Sequence, residues 1–179
     1  MLDIKKEIEG QLGGIKISFN TVSKIQNELN WIDDHVLTYG LQGSKGLSKY
    51  PNSDLNVATV ALFQEFGTDT IPSRPFIRRT FKKKQKEINS KTEKEIGLVV
   101  SLTQTGQQAY QNIGKYVVGL IQDELKTSSS WAKRLDDKTI KDKGGKNSPL
   151  RDSDKLLKAI SWAIRKGNSS GTIIATGGK

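Results

Sequence analysis

Residues 65–81 read EFGTDTIPSRPFIRRTF. Gly67 is well placed to end a helix, because glycine readily adopts the left-handed conformation found just after a helix C-terminus. Pro72 and Pro75 remove backbone donors and bias the residues before them toward extended geometry. The stretch therefore predicts a helix that ends near Gly67, an extended arm over about residues 67–75, and a second helix that begins just after Pro75.

Helical periodicity continues on both sides of this stretch. Residues 56–66 (NVATVALFQEF) carry a broad apolar face, which predicts a short buried helix. Residues 76–100 repeat apolar positions at close to the helical period, with Lys and Glu on the other faces, and residues 106–125 repeat the same pattern. These two long helices each carry an apolar stripe, so the simplest arrangement packs them against each other.

The rest of the chain supplies strands and shorter helices. Residues 137–143 (DKTIKDK) predict a short helical turn, and Asp152 or Ser153 is the expected cap of a short helix that runs through Leu157. An amphipathic pattern predicts a helix over residues 19–32, and the β-branched and aromatic run at 35–41 (HVLTYGL) predicts a strand. Glycines followed by Pro-Asn predict a flexible loop at about residues 42–55. Near the end, residues 159–165 and 171–176 are typical of two strands joined by a tight turn.

The length and element pattern together predict the fold class. A chain of 179 residues is within the size of one domain, and its hydrophobic fraction of 34% predicts a modest core. We therefore expect residues 1–179 to form a single α+β domain. In it, a small, mainly antiparallel sheet is covered by two long helices.

The charge balance favours anionic partners. The 29 Lys and Arg residues exceed the 19 Asp and Glu residues, which gives a formal net charge of +10. A field of this size attracts nucleic acid or an acidic protein surface, and charge alone does not choose between them. The chain has no Cys, so disulfides and thiolate metal sites are excluded. No apolar run approaches the ~20 residues needed to cross a bilayer, so no membrane association is expected.

Catalytic chemistry has little support in the sequence. The only His, His35, follows Asp34 at the start of a predicted strand, where an ordinary surface role is the simpler interpretation. Adjacent carboxylates such as Asp33 with Asp34, or Asp136 with Asp137, point apart in either helix or strand. An enzyme would need an acid–base constellation assembled from scattered residues. We therefore expect no enzymatic activity, no catalytic or metal-ligating residues and no cofactor.

The 65–81 stretch has the composition of a protein interface, since aromatic and Arg residues are enriched at the centres of interfaces. Burial in the core is the alternative for Phe76, and it is favoured over partner contact for Phe66 and Phe81. The residues expected at the interface are Phe66, Gly67, Thr68, Ile71, Pro72, Arg74, Pro75, Phe76 and Arg78.

Two motifs in this chain resemble those of a known family. The first is E-F-G-T, then I-P-S-R-P-F-I-R, carried by residues 65–68 and 71–78. The second combines Trp131, the turn T-I-K-D-K-G at 139–144, and P-L-R-D-S-D-K-L at 149–156, continuing to Ala-Ile at 159–160. Together they resemble the signature of tailed-bacteriophage virion morphogenesis proteins, the minor neck, head–tail joining and tail-completion proteins.

This resemblance implies a structural function. The chain would be a ring subunit at the head–tail interface, in the neck or at the tail end, required for phage assembly and head–tail joining. It would form a homo-oligomeric ring in the virion, contact other neck, connector or tail proteins, and reside in the host cytoplasm during assembly.

The alternative function is nucleic-acid binding through the basic face of residues 78–94, with packaged DNA as one ligand. A solvated helix face is an equally favoured interpretation of the same residues. The side chains expected to face an anion or DNA are Arg79, Lys82, Lys83, Lys84 and Lys86.

Overall fold

The computed structural model describes residues 10–12, 15–17, 19–51, 53–142, 144–145, 147, 149–150, 154–168 and 170–178. Helices and strands alternate irregularly along these residues. In chain order they are β1 (Gly10–Leu12), β2 (Ile15–Ile17), α1 (Phe19–Asp33), β3 (His35–Leu41), α2 (Gly43–Leu47), α3 (Val57–Phe66), α4 (Phe76–Val100), α5 (Gly106–Lys126), α6 (Asp137–Asp142), α7 (Lys155–Ala159), β4 (Ile160–Lys166) and β5 (Ile173–Gly177). The predicted α+β class is confirmed.

The main sheet has three antiparallel strands in the order β3-β4-β5, with β4 in the centre. Strand β3 pairs with β4 from His35 opposite Lys166 to Leu41 opposite Ile160. Strand β5 returns along β4 and forms the predicted C-terminal hairpin, with a register shift between Ile164 and Arg165. A separate antiparallel pair, β1 with β2, was not predicted.

The two long helices cover the sheet as successive layers. Core residues of α5, such as Ile113 and Val117, belong to the same cluster as Ile160 and Ile164 of β4. Helix α4 packs mainly on α5. It also reaches the sheet at Phe81, whose ring centroid lies 6.1 Å from that of Tyr39 in β3. The predicted small sheet with two long helices is therefore confirmed, and α5 is the helix that lies on the sheet.

The close packing of α5 on β4 depends on Gly114. A Cβ at this position would lie 2.6 Å from Cγ of Trp162, whereas a Cβ at Gly97 in α4 would meet nothing within 4 Å. We expect Gly114→Ala to lower the free energy of unfolding by about 1–3 kcal/mol through overpacking, and Gly97→Ala to raise it by about 0.5–1 kcal/mol through helix propensity. Urea unfolding of both variants measures these changes. The same sign for both would contradict the packing argument.

The glycine-rich stretch predicted as a flexible loop at 42–55 contains a short helix, α2, so that prediction is corrected in part. Gly46 is buried, and a Cβ there would lie 3.2 Å from the carbonyl oxygen of Leu41. The backbone of Lys49 also forms an isolated antiparallel β-bridge with Asn56, the residue before α3. Glycine here permits a close backbone approach.

The segment at 67–75 contains no helix or strand, but it is not an extended arm. The Thr68 hydroxyl accepts hydrogen bonds from the amides of Thr70 (3.3 Å) and Ile71 (3.0 Å), and the Thr68 amide donates to the Ile71 carbonyl (2.9 Å). The Arg74 amide then donates to the Gln64 carbonyl of α3. These bonds turn the segment back along α3. The prediction of an arm is corrected for this reason.

Candidate interface

Glu65 joins α3 to α4. Its side chain is buried in the last turn of α3, and its carboxylate accepts hydrogen bonds from the amides of Ile77 and Arg78, both at 2.9 Å. It also pairs with Nε of Arg78 at 3.0 Å, and the Arg78 guanidinium donates to the Glu65 carbonyl. Pro75 provides no side-chain cap for α4. Glu65 thus satisfies two of the amide donors that a helix N-terminus leaves unpaired.

The buried side chain of Arg74 holds the 67–75 segment in place through hydrogen bonds. Its side chain donates to Oε1 of Gln64 (2.9 Å) and to the carbonyl of Lys133 (3.3 Å). Burial lowers the pKa of the Arg74 guanidinium, while Asp136 acts in the opposite direction. These bonds attach both α3 and the chain near residue 133 to the start of α4.

The interface roles predicted for Arg74 and Phe76 are corrected. Arg74 is only 5% exposed and Phe76 is 0% exposed, and Phe76 belongs to the main core cluster. Their side chains are enclosed by this chain itself, so neither is accessible to a partner. Ile71, Pro72 and Pro75 are half-buried. The alternative prediction, that Phe76 packs in the core at the start of a helix, is confirmed.

Phe66 was predicted to be buried in the core, but it is 61% exposed. The buried positions of α3 are Val57, Ala61 and Glu65, which lie on one side of the helix, so Phe66 falls on the other side. Leu62, one turn earlier, is 53% exposed. The Arg78 guanidinium carbon lies 4.7 Å from the centre of the Phe66 ring. Leu62 and Phe66 form an apolar patch.

The remaining residues predicted at the interface lie around this patch. Gly67 has a φ of 82°, and a Cβ there would lie 2.9 Å from the Ser73 amide nitrogen, so it is required by the turn. Thr68 is exposed at the start of the turn. Phe81, for which burial was also predicted, is half-buried and packs against the core.

The segments that carry the two sequence motifs are far apart along the chain and meet in space, through Arg79, which directly follows the first motif, and through Lys133, two residues after Trp131. The Arg79 guanidinium lies 4.9 Å from the centre of the Trp131 ring, and Arg74 donates to the Lys133 carbonyl. The first of these contacts includes Glu124, a buried carboxylate that accepts from Nε of Arg79 at 2.6 Å. Trp131 donates from its indole to the Glu124 carbonyl at 3.1 Å. Nothing in the sequence indicated this role for Glu124, since it stands in a helix among other charged residues.

A cleft of about 330 Å³ opens between the first turns of α4 and residues 131–133. We call it the basic cleft. It is lined by Arg78, Arg79, Lys82, Trp131 and Lys133, together with Ser73, Pro75 and Ala132, and none of these side chains is acidic.

Of the cations predicted to face an anion or DNA, the structure pairs three with carboxylates and leaves two exposed. Arg79 and Lys83 both pair with Glu124, the latter at 3.1 Å, and Lys84 pairs with Glu87 at 2.7 Å. Lys82 and Lys86 are exposed and form no ion pair within the described ranges. The 78–94 face is therefore not a continuous cationic strip, because carboxylates neutralise much of it.

His35 has a structural contact in this fold. Its Nδ1 lies 2.6 Å from the Trp31 carbonyl oxygen, and its ring stacks on that of Trp31 with centroids 4.0 Å apart. Across the described residues, no group of three His, Asp or Glu side chains is arranged to hold a metal ion. None of the helices that could be searched combines the length and apolarity needed to span a bilayer.

Glu95 gives a test of pH dependence in the α4–α5 pair. Burial raises its pKa, but hydrogen bonds from Lys91, Asn112 and Gln104 outweigh this and lower the pKa from 4.5 to about 2. A depressed pKa in the folded state stabilises the fold above pH 4.5, and this contribution is lost as the pH falls toward 2. We expect the stability difference between the parent and Glu95→Gln to shrink over that window. Urea unfolding at stepped pH measures it, and a constant difference would refute the assignment.

Comparisons with protein-family models, curated proteins and solved structures found no match to this chain. The functional inference therefore depends on its own residues and contacts.

Proposed function

We propose that this chain is a non-enzymatic structural protein of a tailed bacteriophage, a ring subunit at the head–tail interface that acts in the neck or in tail completion. The resemblance of residues 65–78 and 131–160 to virion morphogenesis proteins supports the family. The single observation that supports a binding function is the contact between these two segments, through Arg74 with Lys133 and Arg79 with Trp131. Residues of both segments line the basic cleft and so share that part of the surface.

The same surface separates structural residues from residues available to a partner. Glu65, Arg74 and Phe76 are buried and hold the junction of α3 with α4, while Leu62 and Phe66 are exposed beside Arg78. An aromatic ring and a guanidinium on a rigid support are typical of residues that contribute most of the binding energy of an interface. Rigidity lowers the entropic cost of docking.

A ring made of one repeated subunit needs a head-to-tail contact that closes by symmetry. The apolar patch of Leu62 and Phe66 is the candidate for one side of that contact. Other neck, connector or tail proteins are the partners proposed for the remaining surface, in a virion assembled in the host cytoplasm.

Peptide mapping of purified particles tests the location. We expect peptides of this chain in particles that encode it, and electron microscopy after disruption of its gene should show heads and tails that fail to join or tails left incomplete. Normal joined particles from the disrupted gene, or absence of the chain from purified particles, would contradict the proposal.

A further inference from the structure

We infer that the basic cleft binds an acidic segment of a neighbouring protein in the particle. This inference deepens the proposed assembly function and rests on it for the identity of the partner. The binding itself is a property of the isolated chain, so it can be tested without particles.

Part of the positive charge that lines the cleft has no partner. Lys82 and Lys133 are exposed, and neither forms an ion pair with another described side chain. Glu65 and Glu124, the carboxylates that pair with the lining residues Arg78 and Arg79, are buried. Lys82 and Lys133, by contrast, lie at the surface. Every charged side chain that lines the cleft is positive.

Arg79 is held in one orientation at the cleft. Its Nε is held by Glu124, and its plane is held near the Trp131 ring. No hydrogen bond from its two terminal nitrogens is found within the described chain. A guanidinium fixed on one edge retains a planar pair of donors on the other, which suits a carboxylate. Because the side chain is already ordered, little further entropy is lost on binding.

The charge and shape of the cleft favour a protein segment over a second copy of the chain or a nucleic-acid duplex. A second copy of this chain, with a net charge of +10, is repelled by the cleft unless it presents a local acidic segment. To bind a nucleic-acid duplex, a protein needs a row of unpaired cations that contact the phosphates of the duplex. Beyond the cleft, Lys83, Lys84 and Lys91 of α4 are each paired with a carboxylate. The short concave cleft with an aromatic wall thus fits the side chains of a protein segment better than a duplex.

The chain offers a matched pair of variants for the test. Lys82→Gln combined with Lys133→Gln removes two charges from the cleft. Lys86→Gln combined with Lys94→Gln removes the same charge from exposed positions of α4 outside it. None of these four side chains forms an ion pair with a described residue. Both double variants should therefore melt like the parent.

The probe is a fluorescein-labelled peptide of mixed Glu and Leu, and its control has Gln at every Glu. Anisotropy is measured with the full chain at about 0.15 M salt, where distant charges are screened. We expect the acidic peptide to bind and the Gln peptide not to bind. The cleft variant should weaken binding about tenfold, since each exposed ion pair is worth up to ~1 kcal/mol, and the α4 control should change it less than about twofold.

Three results would overturn the inference. The acidic peptide could fail to bind, or both double variants could weaken it equally, which would show a general charge effect. A labelled DNA duplex could bind more tightly than the peptide, with a steep salt dependence lost in the cleft variant, which would assign the cleft to nucleic acid. None of these results bears on whether the chain is found in particles, so the proposed function is judged separately.

Discussion

Phe76→Ala is expected to lower the free energy of unfolding by about 3–5 kcal/mol, because it removes a fully buried ring from the main core. The matched variant is Phe66→Ala, ten residues earlier, whose ring is largely exposed. It should cost less than about 1 kcal/mol in stability. Urea unfolding of the two purified variants measures both changes.

The pair also separates folding from assembly. Phe66→Ala should remain folded and yet reduce particle joining, because it removes the ring of the apolar patch, whereas Phe76→Ala should lose particles through loss of folded protein. Normal joining by a folded Phe66→Ala variant would show that the apolar patch is not part of the interface. Parent-like stability of Phe76→Ala would contradict the core assignment.

Glu65→Ala is expected to lower the free energy of unfolding by about 3 kcal/mol. The substitution leaves the amides of Ile77 and Arg78 without their acceptor and leaves the Arg78 guanidinium without its carboxylate. The start of α4 should therefore fray first, and hydrogen exchange of its first turn should quicken. Thermal melting combined with amide exchange measures both effects.

Two further variants make this result specific. Glu65→Gln keeps the shape and one acceptor oxygen, so it should lose less stability than Glu65→Ala. Glu93→Ala removes an exposed carboxylate further along α4 and should change stability by less than about 0.5 kcal/mol. Equal losses for Glu65→Ala and Glu93→Ala would show that Glu65 does not cap the helix.

Much of the fold could be predicted because its elements are long or periodic. Strand β3 was predicted with the bounds it has, and α4 begins after Pro75 as its proline requires. Short helices at α6 and α7 were also predicted, but α2 and the β1–β2 pair were missed. Helix α2 includes Gly43 and Gly46, residues with poor helix propensity, so the fold around Leu41 rather than local preference determines its conformation.

The candidate interface was predicted less well, because burial depends on which side of a helix faces the core. Phe66 and Phe76 are both aromatic residues near proline or glycine, and local sequence does not distinguish them. Phe66 is exposed because the opposite side of α3, with Val57, Ala61 and Glu65, is turned inward, whereas Phe76 lies at the start of α4 and packs in the core. The carboxylates that neutralise Arg79 and Lys83 belong to a different helix, so a count of charges along α4 overestimates its free positive charge.

The order of strands in the sheet also determines when the sheet can form during synthesis on the ribosome. The centre of the sheet is β4, and β3 has no other partner among the described strands. A ribosome adding about 5–20 residues per second reaches β4 roughly 6–25 s after it has made β3. Throughout that interval the nascent chain can form helices but not the sheet on which α5 lies. Its apolar surface is therefore exposed to chaperones until the last strands emerge.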